Sequence, residues 1–324
     1  MKRRALLAAA ALAACLPFGA THAQGDFPNK PVTIVVPGAP GGGGDFTARL
    51  LAEELGPALG KPVVVDNRAG AAGNIATTYV ARAQPDGHTL LIAYSGTHVG
   101  NPALYSHLQW DPIKSFTPVA MLVVSPQVIV VNKAFPAKTL PEFVDYARKN
   151  PGRINYATSG AGTMQHIGTE LLALRTDTKM VHVPYKGAGA ALTDVLSGQV
   201  QLMITTPPAV VSHIRAGSLR PLAIASKQRH PMLPDVPTTG EAGVKDVEID
   251  AWFALYAPAG TPPAVVQRLA SEIKRIVNGP KFRQRAEEAG TYATYMDPAQ
   301  LDAFTRSELT HWTDVIHKLG IKAE

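Results

Sequence analysis

Short apolar runs alternate with helical patterns in the first third of the chain. Val32–Val36 is an apolar run typical of a buried parallel strand. A glycine-rich turn follows, and Asp45 is the expected N-cap of a helix with leucines at helical spacing. Further apolar runs at 63–65 and 89–93 are separated by turn residues and another helical stretch. This repeated strand–turn–helix pattern predicts a mainly parallel sheet with right-handed crossovers.

The same pattern starts again in the middle of the chain. Apolar runs that predict strands lie at 128–131, 154–156, 181–183 and 202–204. The tail from Pro262 is predicted to be helical, with interruptions near Pro280 and Pro298. Because such a helical block cannot form a sheet alone, we expect it to pack back on the first α/β block. A chain of 324 residues is long enough for two such domains.

The N-terminus has the pattern of a secretory signal peptide. Three positive residues at 2–4 precede an apolar run at 5–14, and small residues at Thr21 and Ala23 predict cleavage after Ala23. The apolar run is too short to span a bilayer, for which about 20 apolar residues are needed. The sequence thus predicts export to the periplasm with removal of residues 1–23.

Cys15 offers an alternative and also limits the chemistry. Residues 12–14 fit a lipoprotein cleavage box, which would leave a lipidated Cys15 as the first residue. Cys15 is the single cysteine, so cleavage after Ala23 excludes disulfides and thiol catalysis in the mature chain. That cleavage lowers Lys plus Arg from 31 to 28 against 25 acidic residues, a net charge of +3. This balance slightly favours anionic ligands, and the absence of a basic stripe argues against nucleic acid.

Two glycine-rich turns are candidate anion sites. The turn 38–44 has the glycine spacing of a P-loop, but Gly44 replaces the required lysine, and Phe46 replaces the last glycine of a dinucleotide fingerprint. Glycines before a helix still let backbone N–H groups approach an anion closely. The turns 41–44 and 159–163, one in each block, therefore suggest a cleft between two domains. The alternative is that both are only tight strand–helix connections.

Catalytic and metal-binding patterns are weak. Ser95 and His98 follow a strand and could suggest a hydrolase, but strand-end hydroxyls more often hold a ligand or cap a backbone group. His166 and Glu170 share a helix face but lack a third metal ligand, which favours a structural role. We therefore expect no cofactor, no metal and no catalytic residues.

Several segments together resemble the Bug-type receptors of tripartite tricarboxylate transporters. They occur in order between residues 27 and 321, with the spacing of that family. The matching segments are 31–37, 40–42 with Asp45, 63–68 with Gly70, 85–91, 96–98, 101–105, 182–187, 233–238 and 257–262.

The resemblance implies an α/β fold of the periplasmic binding protein class (type II-like), with two hinge strands and a ligand cleft between the domains. Domain 1 would combine 24–125 with 250–324, and domain 2 would be 126–249. The implied function is non-catalytic capture of a small organic carboxylate for membrane transporter subunits, by a monomer that closes like a hinged clamp. The implied ligand-binding residues are Ala39, Pro40, Gly41, Gly42, Gly43, Ser95, Thr97, Ser159, Gly160, Gly162, Thr163 and Thr205.

One position departs from the family pattern. The family often carries an aspartate after the strand at residue 202, where this chain has Thr205. Threonine offers no countercharge to an ammonium group, so we expect acids without an amino group to be preferred. Alternatively, Thr205 only caps its turn. The alternative functions are a ligand sensor for a signalling system and a serine hydrolase that uses Ser95 and His98.

Overall fold

The computed structural model describes residues 27–321. The predicted signal peptide and the alternative lipidation site at Cys15 lie outside the described residues. The strands are β1 Val32–Val36, β2 Val63–Asn67, β3 Thr89–Tyr94, β4 Phe116–Asn132, β5 Asn155–Thr158, β6 Val181–Pro184, β7 Leu202–Thr205, β8 Leu219–Ala225, β9 Asp250–Pro258 and β10 Tyr292–Met296. The helices are α1 Gly43–Leu59, α2 Asn74–Ala81, α3 Asn101–Leu104, α4 Leu140–Lys149, α5 Met164–Thr176, α6 Ala188–Leu196, α7 Pro207–Arg215, α8 Pro263–Val277, α9 Pro280–Glu288 and α10 Pro298–Leu319.

The sheet has the strand order β2-β1-β3-β9-β4-β7-β5-β6, with β8 and β10 also paired to β4. β1 is parallel to β2 and β3, and β5 is parallel to β6 and β7, as the strand–helix alternation predicts. The strands β4, β8, β9 and β10 pair antiparallel instead. Parallel strand–helix units therefore occupy both ends of the sheet, and antiparallel strands join them in the middle.

The long strand β4 passes through both parts of the sheet. Its pairing with β9 runs from Phe116 to Pro126, and its pairing with β8 runs from Gln127 to Asn132. A second chain segment passes between the two parts beside β4. There the Gln127 N–H donates to the Ile249 carbonyl at 3.1 Å, just before β9 begins. Two adjacent chain segments thus connect the two α/β parts.

The C-terminal helices pack on the first part, as expected. α8 packs against α1 and β4, and α10 packs against β4 and against the turn after β3. Trp252 of β9 and Trp312 of α10 both donate their indole N–H to Glu308, each at 3.1 Å. The sequence pattern did not predict β10, which lies between these helices and pairs with β4. Among residues 27–321, no helix combines the length and the apolarity that a membrane span requires.

Candidate ligand-binding cleft

The turn between β1 and α1 forms the first predicted anion cradle. Gly41 has a φ of +84°, a left-handed conformation that favours glycine. Its N–H donates to Asp45 Oδ2 at 2.9 Å, and the Gly42 N–H donates to the Ala39 carbonyl at 3.4 Å. Both amides therefore shape the turn itself. The N–H groups left without intrahelical acceptors are those at the start of α1, from Gly43 onward.

Asp45 is not the helix N-cap, contrary to the sequence prediction. Gly42 holds that position, and Asp45 lies in the first turn, where its carboxylate reaches back to Gly41. Arg49 Nε donates to the Asp45 oxygens at 2.9 and 3.0 Å. Burial acts to raise the pKa of Asp45, but the hydrogen bonds from Arg49 and Gly41 outweigh it and lower the pKa. Because Arg49 balances this charge, the positive end of α1 remains suited to an external anion.

The hydroxyls at the end of β3 already have backbone partners. Ser95 Oγ accepts from the Trp252 N–H at 3.4 Å, and Thr97 Oγ1 donates to the Ala72 carbonyl at 2.9 Å. Both side chains are buried. Ser95 thus uses its oxygen as an acceptor, whereas the Thr97 hydroxyl donates and holds the loop before α2.

Ser95 and His98 do not form a nucleophile–base pair. The His98 ring packs 4.4 Å from the Tyr256 ring and is also surrounded by Trp110 and Phe116. Burial lowers the pKa of His98 to about 4. No hydrogen bond joins His98 to Ser95 in the part of the chain that the structure describes.

The second predicted cradle, between β5 and α5, is closed by its own hydrogen bonds. The donors and acceptors are Ser159 N–H to Gln165 Oε1 at 2.6 Å, Gly160 N–H to Thr158 Oγ1 at 3.2 Å, Gly162 N–H to His166 Nδ1 at 3.1 Å, and Thr163 Oγ1 to the Gly160 carbonyl at 2.9 Å. Thr163 is also the N-cap of α5, where it accepts from the His166 N–H. These bonds occupy the Ser159, Gly160 and Gly162 amides, which the sequence predicts to face a ligand.

Thr205 and Thr206 have different surroundings. Thr205 Oγ1 accepts from Gln165 Nε2 at 3.0 Å and is buried. Thr206 is half-buried, and its Oγ1 lies 3.9 Å from the position that a Cβ atom at Gly43 would occupy. The hydroxyl that faces the start of α1 is therefore that of Thr206, the neighbour of Thr205 and the second of the two hydroxyls that the sequence offers to a carboxylate.

The two parts of the molecule meet around two aromatic rings. Phe253 of β9 stacks on Tyr94 of β3, with ring centroids 5.3 Å apart and planes inclined by 24°. A Cβ atom at Gly43 would lie 3.0 Å from Phe253 Cζ. On the other side, Gly96 lies between the Tyr94 ring and the start of α5, because a Cβ atom there would lie 2.7 Å from Tyr94 Cε1 and 3.1 Å from the Met164 backbone nitrogen. We call the space bounded by the starts of α1 and α5, Thr206 and these rings the candidate cleft.

A stacked histidine pair lies behind the second loop. The rings of His166 and His182 are 4.0 Å apart and nearly parallel, and His182 Nε2 lies 2.7 Å from Thr158 Oγ1. Burial lowers the pKa of both histidines to about 4. Glu170 accepts a hydrogen bond from the Tyr156 hydroxyl. Within the described residues, no group of three or more potential ligands could hold a metal ion.

Comparison with known proteins identifies the family. The family model described as the tripartite tricarboxylate transporter family receptor matches residues 47–321. BugT of Bordetella pertussis (strain Tohama I) is 35% identical over 297 residues, which cover 91% of each chain. The resemblance found in the sequence is therefore confirmed.

Solved structures agree with this assignment. An R. palustris protein solved with adipate superposes with a TM-score of 0.89 at 35% identity, covering 92% of this chain and 99% of its own. MatC from Rhodopseudomonas palustris, solved with bound malate, gives a TM-score of 0.84 at 36% identity, covering 90% of this chain and 100% of its own. The chain belongs to the tripartite tricarboxylate transporter receptor family and is a periplasmic solute-binding receptor with the two-domain α/β fold of that class.

Proposed function

We propose that this receptor binds a small organic carboxylate in the candidate cleft and delivers it to the membrane subunits of a tripartite tricarboxylate transporter. The observation that carries the proposal is the start of α1, where the N–H groups from Gly43 onward meet Phe253 and the Thr206 hydroxyl. Such a helix start favours an anion through its N–H groups and its dipole. The adipate and malate bound to the two relatives support a carboxylate as the ligand.

A thermal-shift screen of the mature receptor against organic acids tests the ligand class, and calorimetry then measures the affinity. We expect at least one dicarboxylate to stabilise the protein, since a ligand at 100 times its Kd adds about 2.7 kcal/mol to the free energy of unfolding. Stabilisation by amines or sugars alone would contradict the proposal.

The receptor role is proposed to be non-catalytic. Ser95 accepts a backbone N–H, and His98 is enclosed by aromatic rings, so the pair lacks the geometry that activates a serine nucleophile. We expect no turnover of carboxylic esters such as p-nitrophenyl acetate above the rate of a Ser95→Ala variant. An ester hydrolysis rate that depends on Ser95 would support the hydrolase alternative instead.

Domain closure is proposed to accompany binding. Domain 1 comprises residues 24–125 and 250–324, and domain 2 comprises residues 126–249. The change of partners of β4 at Pro126 and Gln127, beside the crossing at Ile249, supports these boundaries. Small-angle scattering with and without ligand tests closure, and light scattering tests the expected monomer. Co-purification with a sensor kinase rather than with transporter subunits would favour the signalling alternative.

A further inference from the structure

Two buried polar side chains on β4 lack partners at the crossing between the two parts of the molecule. Ser125 is 0% exposed and Gln127 is 1% exposed. The Ser125 Oγ and both terminal atoms of the Gln127 amide have no hydrogen-bond partner among residues 27–321. Buried amides and hydroxyls are nearly always hydrogen-bonded in folded proteins, so a group of three unpaired atoms needs an explanation.

The strand registers set both side chains on the face of the sheet that meets the start of α1. Ser125 lies opposite Ala251, two residues before Phe253, so Ser125 and Phe253 share a face. In the antiparallel pairing of β4 with β7, Val128 lies opposite Thr205, the last residue of β7. Extending this register by one residue places Thr206 opposite Gln127. Phe253 and Thr206 are the two side chains that flank Gly43.

We call Ser125 and Gln127 the floor of the candidate cleft, because the strand registers place both side chains on this face at the crossing. They are two residues apart on one strand, which directs both side chains to one face. Asp250 lies opposite Pro126, so its carboxylate is on the other face, together with Trp252. The floor thus presents neutral hydrogen-bonding groups without a carboxylate that would repel an acid.

The chemistry of the floor calls for a ligand with a donor as well as acceptors. The Gln127 NH2 group donates, the Gln127 carbonyl only accepts, and the Ser125 hydroxyl can do either. A plain dicarboxylate at neutral pH supplies acceptors alone and leaves the Gln127 carbonyl unpaired. A ligand hydroxyl beside a carboxylate can donate to that carbonyl while the carboxylate accepts from the NH2 group.

We propose that Ser125 and Gln127 bind the hydroxyl-bearing end of the ligand, so that the receptor selects a hydroxy-substituted dicarboxylate over the unsubstituted acid of the same length. This inference rests on the proposed function, because it assigns the first carboxylate to the start of α1. Sites that hydrogen-bond a ligand hydroxyl discriminate strongly against analogues that lack it, since the protein groups are then left buried and unpaired.

The test is calorimetric titration of the mature receptor with L-malate and with succinate, which differ by one hydroxyl. We expect wild type to bind malate at least about 10-fold more tightly than succinate. In Gln127→Leu the ratio of the two Kd values should fall to within about twofold, mainly through weaker malate binding. Ser125→Ala should also lower the ratio of the two Kd values.

Controls separate selectivity from folding and from the proposed function. Gln284→Leu makes the same replacement on the exposed face of α9 and should keep the wild-type ratio. If Gln127→Leu fails to fold, Gln127→Met keeps the length of the side chain and removes the same polar atoms. An unchanged ratio in a folded Gln127 variant, or equal binding of both acids by wild type, would overturn this inference alone. Failure of wild type to bind any carboxylate would overturn the proposed function with it.

Discussion

The Phe253 ring lies against the first turn of α1, so close to Gly43 that a Cβ atom there would come within 3.0 Å of Phe253 Cζ. The two residues are about 200 positions apart in the chain, and both belong to the first part of the molecule. Their contact brings an aromatic side chain to the N–H groups at the start of α1, which have no acceptors within the helix. A carboxylate with an apolar carbon chain can use both surfaces. Its charged oxygens accept hydrogen bonds from the amides, and its methylene groups pack on the ring.

Adding a side chain at Gly43 should weaken ligand binding, because its Cβ atom would press against Phe253. Gly43→Ala forces the Phe253 ring or the start of α1 to move, and both border the cleft. We expect a loss of at least about 10-fold in carboxylate affinity, or about 1.4 kcal/mol, measured by calorimetry. Gly38→Ala is the matched control, because a Cβ at Gly38 meets no atom within 4 Å. Equal affinities of the two variants would show that α1 does not bind the ligand.

Adding a charge at Gly42 tests the anion site without adding bulk to a crowded place. The Gly42 φ of −80° suits any residue, and the nearest atom to an added Cβ is the Ala39 carbonyl at 3.5 Å. Gly42→Glu sets a carboxylate at the start of α1 and should abolish binding of a dianionic ligand through repulsion and competition. Gly42→Gln has nearly the same shape and should retain most of the affinity. Similar losses in both would point to shape rather than to charge.

The local units of the fold could be predicted from the sequence because their signals are local. The run Val32–Val36, the glycine turn and the leucine spacing of α1 predict a strand, a tight connection and a helix within 30 residues. The short strand β10, Tyr292–Met296, lies between helices and carries no alternating pattern of buried and exposed residues. It forms only because β4 offers a free edge.

The composition of the cleft could be predicted only in part, because it depends on pairing between distant strands. The sequence indicates that hydroxyls lie at the ends of β3 and β7. It does not show that Gln165 uses the Thr205 hydroxyl while Thr206 faces α1. Phe253 lies in an apolar run typical of any buried strand, so no local signal marks it as part of a site. The position of Gln127 likewise follows only from the registers of β4 with β7 and β9, which no local pattern in the sequence indicates.

The discrimination between acids and amino acids remains a prediction. Neither Thr205 nor Thr206 supplies the countercharge that a desolvated ammonium group requires. We expect succinate and malate to bind more tightly than L-aspartate by about 10-fold or more in parallel titrations. Tighter binding of aspartate would mean that another group accepts the ammonium and that Thr205 only caps its turn.

The mature N-terminus is predicted to be Gln24. The positive residues at 2–4 and the small residues Thr21 and Ala23 motivate this prediction. Intact-mass measurement of protein from the periplasm should show the loss of residues 1–23. A lipidated species that begins at Cys15 would contradict it.

The stacked histidines predict how stability depends on pH. Burial lowers the pKa of His166 and of His182 to about 4 in the folded protein, whereas an unfolded histidine titrates near 6.5. The unfolded chain therefore takes up protons first as the pH falls. The free energy of unfolding should decrease between pH 6.5 and pH 4 and change little with these groups above that range.

A denaturation series over this pH window checks the effect of the pair. His182→Gln should reduce the loss of stability between pH 6.5 and pH 4 by about 1–2 kcal/mol, since partial solvent access reduces the roughly 3 kcal/mol that the full pKa shift represents. His107→Gln replaces an exposed histidine and should keep the wild-type slope. Some slope should persist in both variants, because burial also lowers the pKa of His98 to about 4. If His182→Gln and His107→Gln have identical slopes, the stacked rings do not control the acid sensitivity of the fold.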